Sequence, residues 1–333
     1  MSRKTLAVLT SGGDAPGMNA AITAVVKTAA ALDWDVVGIQ DGYDGLIDGN
    51  LRPLGPADVD YWPREGGTEL RTARSSRFLT KSGRAKAAKY LENCNGLIVI
   101  GGNGSLTGAN LLAKEHGIPV VGIPASIDND IACTSFSIGV DTALNTITEA
   151  CDRISDTARS HRRAFIVEVM GRHCGYLAMA SAISCMADAV LFREQGKSEQ
   201  QLIDELRNVI RRSYSSSRNK RRVLIIKAEG VAVPTASLAA KLEETLQEDS
   251  GGATLRFTVL GHVIRGGRPS FMDRMIASRL GYTAAHALVD GHSGVMVGWR
   301  ADEPNAIPYA TDPRVQLYDL DTVLAHTKDL LDG

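Results

Sequence analysis

The sequence predicts an α/β protein with mainly parallel sheets and two domains, and three observations carry that expectation. Short apolar or β-branched runs alternate with helix-patterned stretches from one end of the chain to the other, as strand–helix–strand units with right-handed crossovers do. Several runs are apolar at every position rather than every second one, as expected for strands covered on both faces. The 333 residues exceed what a single hydrophobic core usually supports, so a second domain, or one intruding into the first, is expected.

Taken in order, the apolar run Thr5–Leu9 reads as a strand and Gly17–Ala31 as the helix after it. Val36–Ile39 follows as a strand, and Leu97–Ile100 and Pro119–Ile123 are strands flanking a helix over Ser105–Glu115. Thr142–Ser160 reads as a helix, Ala164–Val169 and Ala189–Phe192 as strands, and Ser198–Arg211 as a helix. Val223–Ile226 is a strand, Ser237–Gln247 and Met272–Leu288 are helices, and Val295–Val297 is the last strand. The Ser-, Arg- and Lys-rich stretch Arg211–Arg222 reads as a solvated connection. Composition does not shift sharply along the chain, so it sets no domain edge.

Charge and composition exclude several classes. With 37 basic and 38 acidic side chains the net charge is −1, and aromatics are 5%, which argues against a nucleic-acid partner. No run of about 18 apolar residues suggests a membrane span, and the apolar stretch after Met1–Thr5 is too short for a signal peptide. Cys94, Cys133, Cys151, Cys174 and Cys185 are odd in number and lack Cys-x-x-Cys spacing. Reduced thiols in a soluble, cytoplasmic protein are expected, rather than a zinc site or a disulfide framework. Glycine is in excess, 33 of 333.

Those glycines cluster just past strands, where open parallel sheets bind ligands. In Thr10–Asn19, Gly12 and Gly13 follow a strand and a helix begins at once. Backbone N–H groups can approach an anion there, and the helix end adds roughly half a positive charge. The loop is neither Gly-x-Gly-x-x-Gly nor a Walker loop, and the competing reading is a tight strand-to-helix turn. Gly101-Gly102-Asn103-Gly104-Ser105 repeats the arrangement, and Gly66-Gly67-Thr68 with Arg71, Arg74 and Arg77 adds cations near the same edge. Two such loops can cradle a polyphosphate.

Pro124-Ala125-Ser126-Ile127-Asp128-Asn129-Asp130 places two carboxylates beyond an apolar strand. In an extended segment Asp128 and Asp130 lie on one side. One can then take a proton from a substrate hydroxyl while the other orients a hydroxyl or a magnesium shell. The competing reading is an Asx turn capping the next helix. A cationic set follows: Arg163, Arg172 after Met170-Gly171, Arg256, and His262 and Arg265 within Gly261–Gly267. Arginine's planar fork suits phosphate oxygens. Glu229 can accept from a sugar hydroxyl or be a surface acid.

Together these segments resemble the 6-phosphofructokinase family. The resemblance runs over nearly the whole chain through Leu9–Asn19, Gly101–Ser105, Ile127–Asp130, Val169–Arg172 and Leu260–Gly267. It implies two nested, doubly wound domains: a nucleotide domain over 1–140 plus 255–305, and a sugar-phosphate domain over 141–254 plus 306–333. It also implies transfer of the γ-phosphoryl group of ATP, with Mg2+, to the 1-hydroxyl of fructose 6-phosphate. By resemblance Asp128 is the base, Ser126 contacts the transferred group, Asp130 serves sugar and magnesium, and Arg172 stabilises developing charge. Met170, Gly171 and Glu229 would hold the fructose, and Arg163, Arg256, His262 and Arg265 its phosphate. Arg163 and Arg256 would come from a neighbouring subunit, which implies a homotetramer, or a homodimer. Gly12, Tyr43, Arg74, Gly102, Gly104, Ser105 and Gly108 match the nucleotide side.

Some positions depart from the family pattern. Asn103 stands where an aspartate helps hold magnesium, and a neutral amide is a weaker ligand for a hard cation. Slower turnover or a higher magnesium requirement is therefore expected. Gly104 and Ala125 are small where pyrophosphate-using relatives carry Asp and Lys, which favours ATP as donor. Thr23, Lys27, Ser155 and Asp188 replace effector-binding residues, so weak allosteric control by ADP or phosphoenolpyruvate is expected. The alternatives are a pyrophosphate- or other-donor sugar-phosphate kinase and a catalytically weak, sugar-phosphate-binding regulatory subunit.

Overall fold

The computed structural model describes residues 3–246, 254–300 and 315–332. The chain forms two compact units, Met1–Thr142 with Arg265–Asp332, and Ala143–Ile264. The first begins with β1 (Thr5–Ser11), α1 (Met18–Ala31), β2 (Asp35–Ile39), α2 (Gly42–Asp48), β3 (Leu51–Leu54) and α3 (Lys81–Lys89). It continues through β4 (Gly96–Gly101), α4 (Asn103–His116) and β5 (Val120–Pro124) to α5 (Val140–His161), which runs on into the second unit. The second unit adds β6 (Ala164–Val169), α6 (Tyr176–Ser184), β7 (Ala189–Leu191), α7 (Glu199–Tyr214), β8 (Val223–Ala228), α8 (Thr235–Leu246) and β9 (Leu255–Val259). The chain then returns to the first unit with α9 (Phe271–Val289), β10 (Val295–Trp299), β11 (Val315–Asp319) and α10 (Leu320–Asp332).

In the first unit seven strands lie in the order β11-β10-β5-β4-β1-β2-β3, with only the edges β3 and β11 antiparallel. The chain moves from β1 to β2 on one side and then to β4 on the other. The winding therefore reverses between β1 and β4, which is where open α/β sheets take ligands. The fully apolar runs are central: Leu6–Leu9 and Leu97–Ile100 have no exposed surface. On one face Ala7, Leu9, Leu97 and Val99 share a core with Leu106, Leu112, Leu320 and Val323. Helices α1 and α9, packed on each other, lie against β1, β4 and β5.

Asp273, in the first turn of α9, ties that helix to the start of α5. It accepts from Gly139 N at 2.8 Å, Thr142 N at 2.8 Å and Thr142 Oγ1 at 2.5 Å. Burial pushes its carboxyl up to about 6 against these three donors.

The second unit holds four parallel strands in the order β7-β8-β6-β9. Ile166, Leu191 and Ile225 of this sheet share a core with Leu202 and Leu206 of α7 and Leu238 and Leu242 of α8.

The predicted strands and helices are all present, with ends shifted by a few residues. The largest consequence is at α4, which starts at Asn103 rather than Ser105. Strands β3, β9 and β11 were not anticipated. All three are edges, where polar and apolar residues mix because one side lacks a neighbour. The missed α2 carries two glycines, and α6 is apolar and small all round, so neither shows a helical period. The expected connection Arg211–Arg222 is helical as far as Tyr214, which is buried.

The domain division also falls differently. Residues 255–264 belong with the second unit, because β9 pairs along the free side of β6. The described part of 306–333 belongs with the first, because β11 pairs with β10 and α10 packs on α4. The rest of that tail, and 301–305, lie outside the described residues.

One buried charge stands out in the second unit. Lys227 on β8 is 1% exposed, is the register partner of Glu168 on β6, and lies 3.2 Å from its carboxylate. The Thr235 hydroxyl donates to the same oxygen. Removing one member of a buried pair strands the other in low dielectric. Lys227→Met is expected to lower unfolding stability in urea by about 3 kcal/mol, and Lys227→Met with Glu168→Leu to recover most of it. A single variant as stable as the parent would show that the pair carries no structural weight.

Candidate active site

Three loops leave the carboxyl ends of β1, β4 and β5 side by side. At the first, Ser105 Oγ donates to Ser11 O at 2.8 Å, binding the β1 loop to the first turn of α4. Gly101 cannot carry a side chain here, because a Cβ would collide with the Ser11 carbonyl oxygen. Gly12 has φ +94, left-handed backbone that favours glycine. Its N–H donates to Ala73 O at 3.4 Å, and Thr72 Oγ1 donates to its carbonyl at 3.0 Å. These bonds bring Arg74 to the cavity. The N–H groups of Asn103 and Gly104 open α4 and have no acceptor within the helix.

The third loop carries the carboxylates. Asn129 has φ +51, and its amide pins the loop, donating to Ser135 O at 3.0 Å and accepting from Ser137 N at 2.9 Å. The segment is a turn rather than extended, with Asn129 N donating to Ser126 O. Asp128 and Asp130 therefore reach one cavity through the turn and not through strand alternation. Ser126 Oγ donates to Asp130 Oδ1 at 2.8 Å, and Asn103 Nδ2 donates to Asp130 O at 3.1 Å.

These loops enclose a cavity of about 570 Å³ lined by Gly12, Arg74, Gly102, Asn103, Gly104, Ser105, Gly108, Ser126, Asp128, Asp130 and Arg265. Arg265 donates to Asp14 O at 3.3 Å. Its guanidinium occupies the space that a Cβ on Gly13 would need, 2.8 Å from Nη1. Of the three arginines after Gly66-Gly67-Thr68, only Arg74 lines this cavity. Arg71 pairs with Asp41 at 2.8 Å and Arg77 with Asp48 at 2.6 Å.

Tyr43 forms the far wall with Phe78, their rings stacked at 3.8 Å, and donates from its hydroxyl to Ser105 O at 2.6 Å. Burial pushes its phenol pKa up, so it remains a neutral donor. Phe78, Leu79 and Leu111 also line the cavity, and the sequence reading singled out none of them. Their support is Arg84, held to Glu115 by bonds of 2.6 and 2.8 Å while it donates to Phe78 O and Leu79 O. This arginine–glutamate pair, 31 residues apart, carries no local signal.

Asp128, Asp130 and Asn103 bring an oxygen set together that suits a magnesium ion. Asn103 Oδ1 is buried without a hydrogen-bond partner, an orphan acceptor that a cation would satisfy. Two carboxylates and one amide suit magnesium, which keeps several waters and takes further oxygens from phosphates. The residues fit.

The second unit holds the rest of the expected set. Met170, Gly171 and Arg172 follow β6, Glu229 follows β8 and His262 follows β9, all past the carboxyl ends of their strands. Glu229 N donates to Val169 O at 2.9 Å and Gly230 N to Gly171 O at 3.2 Å, joining two of these loops. Arg163 precedes β6, and Arg256 pairs beside Phe165 at the start of that strand. Both lie at the opposite end of the sheet from Arg172, about 20 Å away along the strand. One chain does not bring them together. Among the effector positions, Lys27 pairs with Asp60, Thr23 donates to Asn19 O, and Asp188 pairs with Lys220.

Residues 5–288 match the family model described as Phosphofructokinase. The chain belongs to the phosphofructokinase family. It is 48% identical over 309 residues to ATP-dependent 6-phosphofructokinase 1 of Thermus thermophilus, covering 92% of each chain. It is 47% identical over 307 residues to ATP-dependent 6-phosphofructokinase of Thermotoga neapolitana, again covering 92% of each. Among solved structures it is similar to phosphofructokinase from Saccharomyces cerevisiae, with a TM-score of 0.86 and 36% identity. That match covers 98% of this chain and 46% of the yeast chain, so the protein spans about half of that relative.

In this phosphofructokinase, Asn103→Asp removes the donor to Asp130 O and turns a carboxylate toward that carbonyl. An unsatisfied buried group of this kind costs about 1–3 kcal/mol. The variant is expected to melt several degrees lower than the parent in a chelator, and to gain more than the parent from added Mg2+. Equal magnesium shifts in a thermal melt would remove Asn103 from the cation site.

Proposed function

We propose that this protein is an ATP-dependent 6-phosphofructokinase, transferring the γ-phosphoryl group of ATP to the 1-hydroxyl of fructose 6-phosphate to give fructose 1,6-bisphosphate. The observation that carries the reading is the switch-point cavity. There the Asp128 and Asp130 carboxylates meet the amino end of a 14-residue helix and two glycine loops. Phosphoryl transfer needs little covalent chemistry from a protein, only in-line positioning and charge neutralisation.

The roles are those the family resemblance implies, and contacts within the first unit support those of Asp130, Arg74 and the α4 amides. Asp128 takes the proton of the attacking hydroxyl, and the Ser126 bond fixes the Asp130 carboxylate beside it. The α4 amides and Arg74 hold the donor phosphates, and Arg172 offsets charge that develops on the transferred group. Met170, Gly171 and Glu229 hold the fructose moiety, while Arg265 and His262 bind its phosphate. Asn103, Asp128 and Asp130 would hold Mg2+, which when bound neutralises the donor's phosphate oxygens. The Tyr43–Phe78 wall and the absence of bulk at Gly104 and Ala125 support a nucleoside over pyrophosphate.

The separation of Arg163 and Arg256 from Arg172 supports a site completed by a second copy, read here as a homotetramer, with a homodimer as the smaller form. No helix among the described residues is long and apolar enough to cross a membrane. The five cysteines are all free thiols, which supports a reducing, cytoplasmic setting.

A coupled assay with fructose 6-phosphate and ATP, ADP or pyrophosphate, with and without magnesium, tests the reading. Product is expected with MgATP, and its absence with every donor would favour a binding subunit. Asp128→Ser should cut turnover 10²–10⁴-fold, the usual worth of a general base, with substrate affinity kept. A loss below about tenfold would take the base role from Asp128.

A further inference from the structure

Cys133 sits just past the carboxylate loop with φ +62, a conformation that residues with a Cβ rarely adopt. Its neighbours are fixed on both sides. Ala132 N donates to Thr327 Oγ1 of α10 at 3.0 Å. Thr134 Oγ1 accepts from Trp299 N at 3.0 Å and donates to Trp299 O at 3.1 Å, at the end of β10. The backbone so held presents the thiol to α10, where His326 Nδ1 lies 3.5 Å from Sγ. His326 is exposed and Cys133 partly so, which leaves the pair open to a solvated ion.

That spacing is the edge of a metal tetrahedron. A Zn–S bond of about 2.3 Å and a Zn–N bond of about 2.0–2.1 Å at the tetrahedral angle put sulfur and nitrogen about 3.5 Å apart. Burial pushes the Cys133 thiol up, with the Arg300 charge acting the other way, which disfavours a free reactive thiolate. A coordinated cation, by contrast, deprotonates a thiol outright.

We propose that Cys133 and His326 form a two-ligand site for a thiophilic divalent cation of the Zn2+ or Co2+ type, with water completing the tetrahedron. On binding, the S–H bond breaks and its proton leaves to solvent. The sulfur pair and the Nδ1 pair form the two bonds to the ion, and nothing is oxidised or reduced. Thiolate and imidazole select such ions over Mg2+, so this site is chemically distinct from the oxygen-lined cavity and stands whether or not the proposed activity does. An ion here would tie the segment that carries Asp128 and Asp130 to α10.

Titration of the full chain with Co2+, followed by thiolate-to-cobalt charge-transfer absorption in the near ultraviolet, tests the site. Competition for Zn2+ with a chromophoric chelator gives its affinity. One equivalent of Co2+ is expected to produce the band, Cys133→Ser to abolish it, and Cys94→Ser to leave it unchanged. His326→Phe should weaken Zn2+ binding at least about a hundredfold, the upper end of what losing an outer-shell partner costs. Should Cys133→Ser not fold, Cys133→Gly suits the positive φ and serves in its place. No band in the parent at saturating cobalt, or a band that survives without Cys133, would overturn the proposal.

Discussion

The candidate site depends on how closely the carboxyl ends of β1 and β4 approach. The two strands pair as far as Ser11 opposite Gly101, and the Ser105 hydroxyl then bonds back to the Ser11 carbonyl. A side chain on Gly101 would push the strand ends apart. Because the winding reverses between these two strands, no crossover helix covers the gap, and the first amides of α4 face it. The β5 loop is registered to the same place by Ala125 N donating to Gly101 O at 3.0 Å. Positioning of the carboxylates is thus inherited from strand pairing.

Much of this was legible in the sequence because the signals are local. Apolar runs gave the central strands, and the glycine clusters past Leu9 and Ile100 marked the ligand edge beyond their carboxyl ends. Gly42, Gly66 and Gly101 are required because a Cβ on each would meet backbone within 3 Å, whereas Gly67 and Gly104 face open space, so close backbone approach accounts for only part of the excess. The edge strands were not legible, since half-exposed strands such as Leu255–Val259 mix polar and apolar residues. For the same reason the chain's return to the first unit was placed too early, at 255 rather than at Arg265. Nor was the Phe78 wall legible, because it rests on Arg84 reaching Glu115 across the fold.

Local spacing also misled in two places. Asp128 and Asp130 share a cavity as expected, but a left-handed Asn129 brings them there. The arginines after Gly67 look like one cationic patch, yet Arg71 and Arg77 each meet an aspartate of the segment around α2. Pairing of this kind leaves Arg74, Arg84 and Arg265 as the arginines that line the cavity. The buried charges of Lys227 and Asp273 are each held by partners, Glu168 in one case and three donors in the other.

The proposed activity requires donor phosphates to bind at the β1–β4 switch point of the first unit. A crystal structure with a non-hydrolysable ATP analogue and Mg2+ tests it most directly. The polyphosphate is expected against Gly12 and the amides that open α4, with the cation on Asn103 Oδ1 and the adenine beside Phe78. Phosphates bound elsewhere, such as at the basic run Arg218–Arg222, with the amino end of α4 left to water, would contradict it.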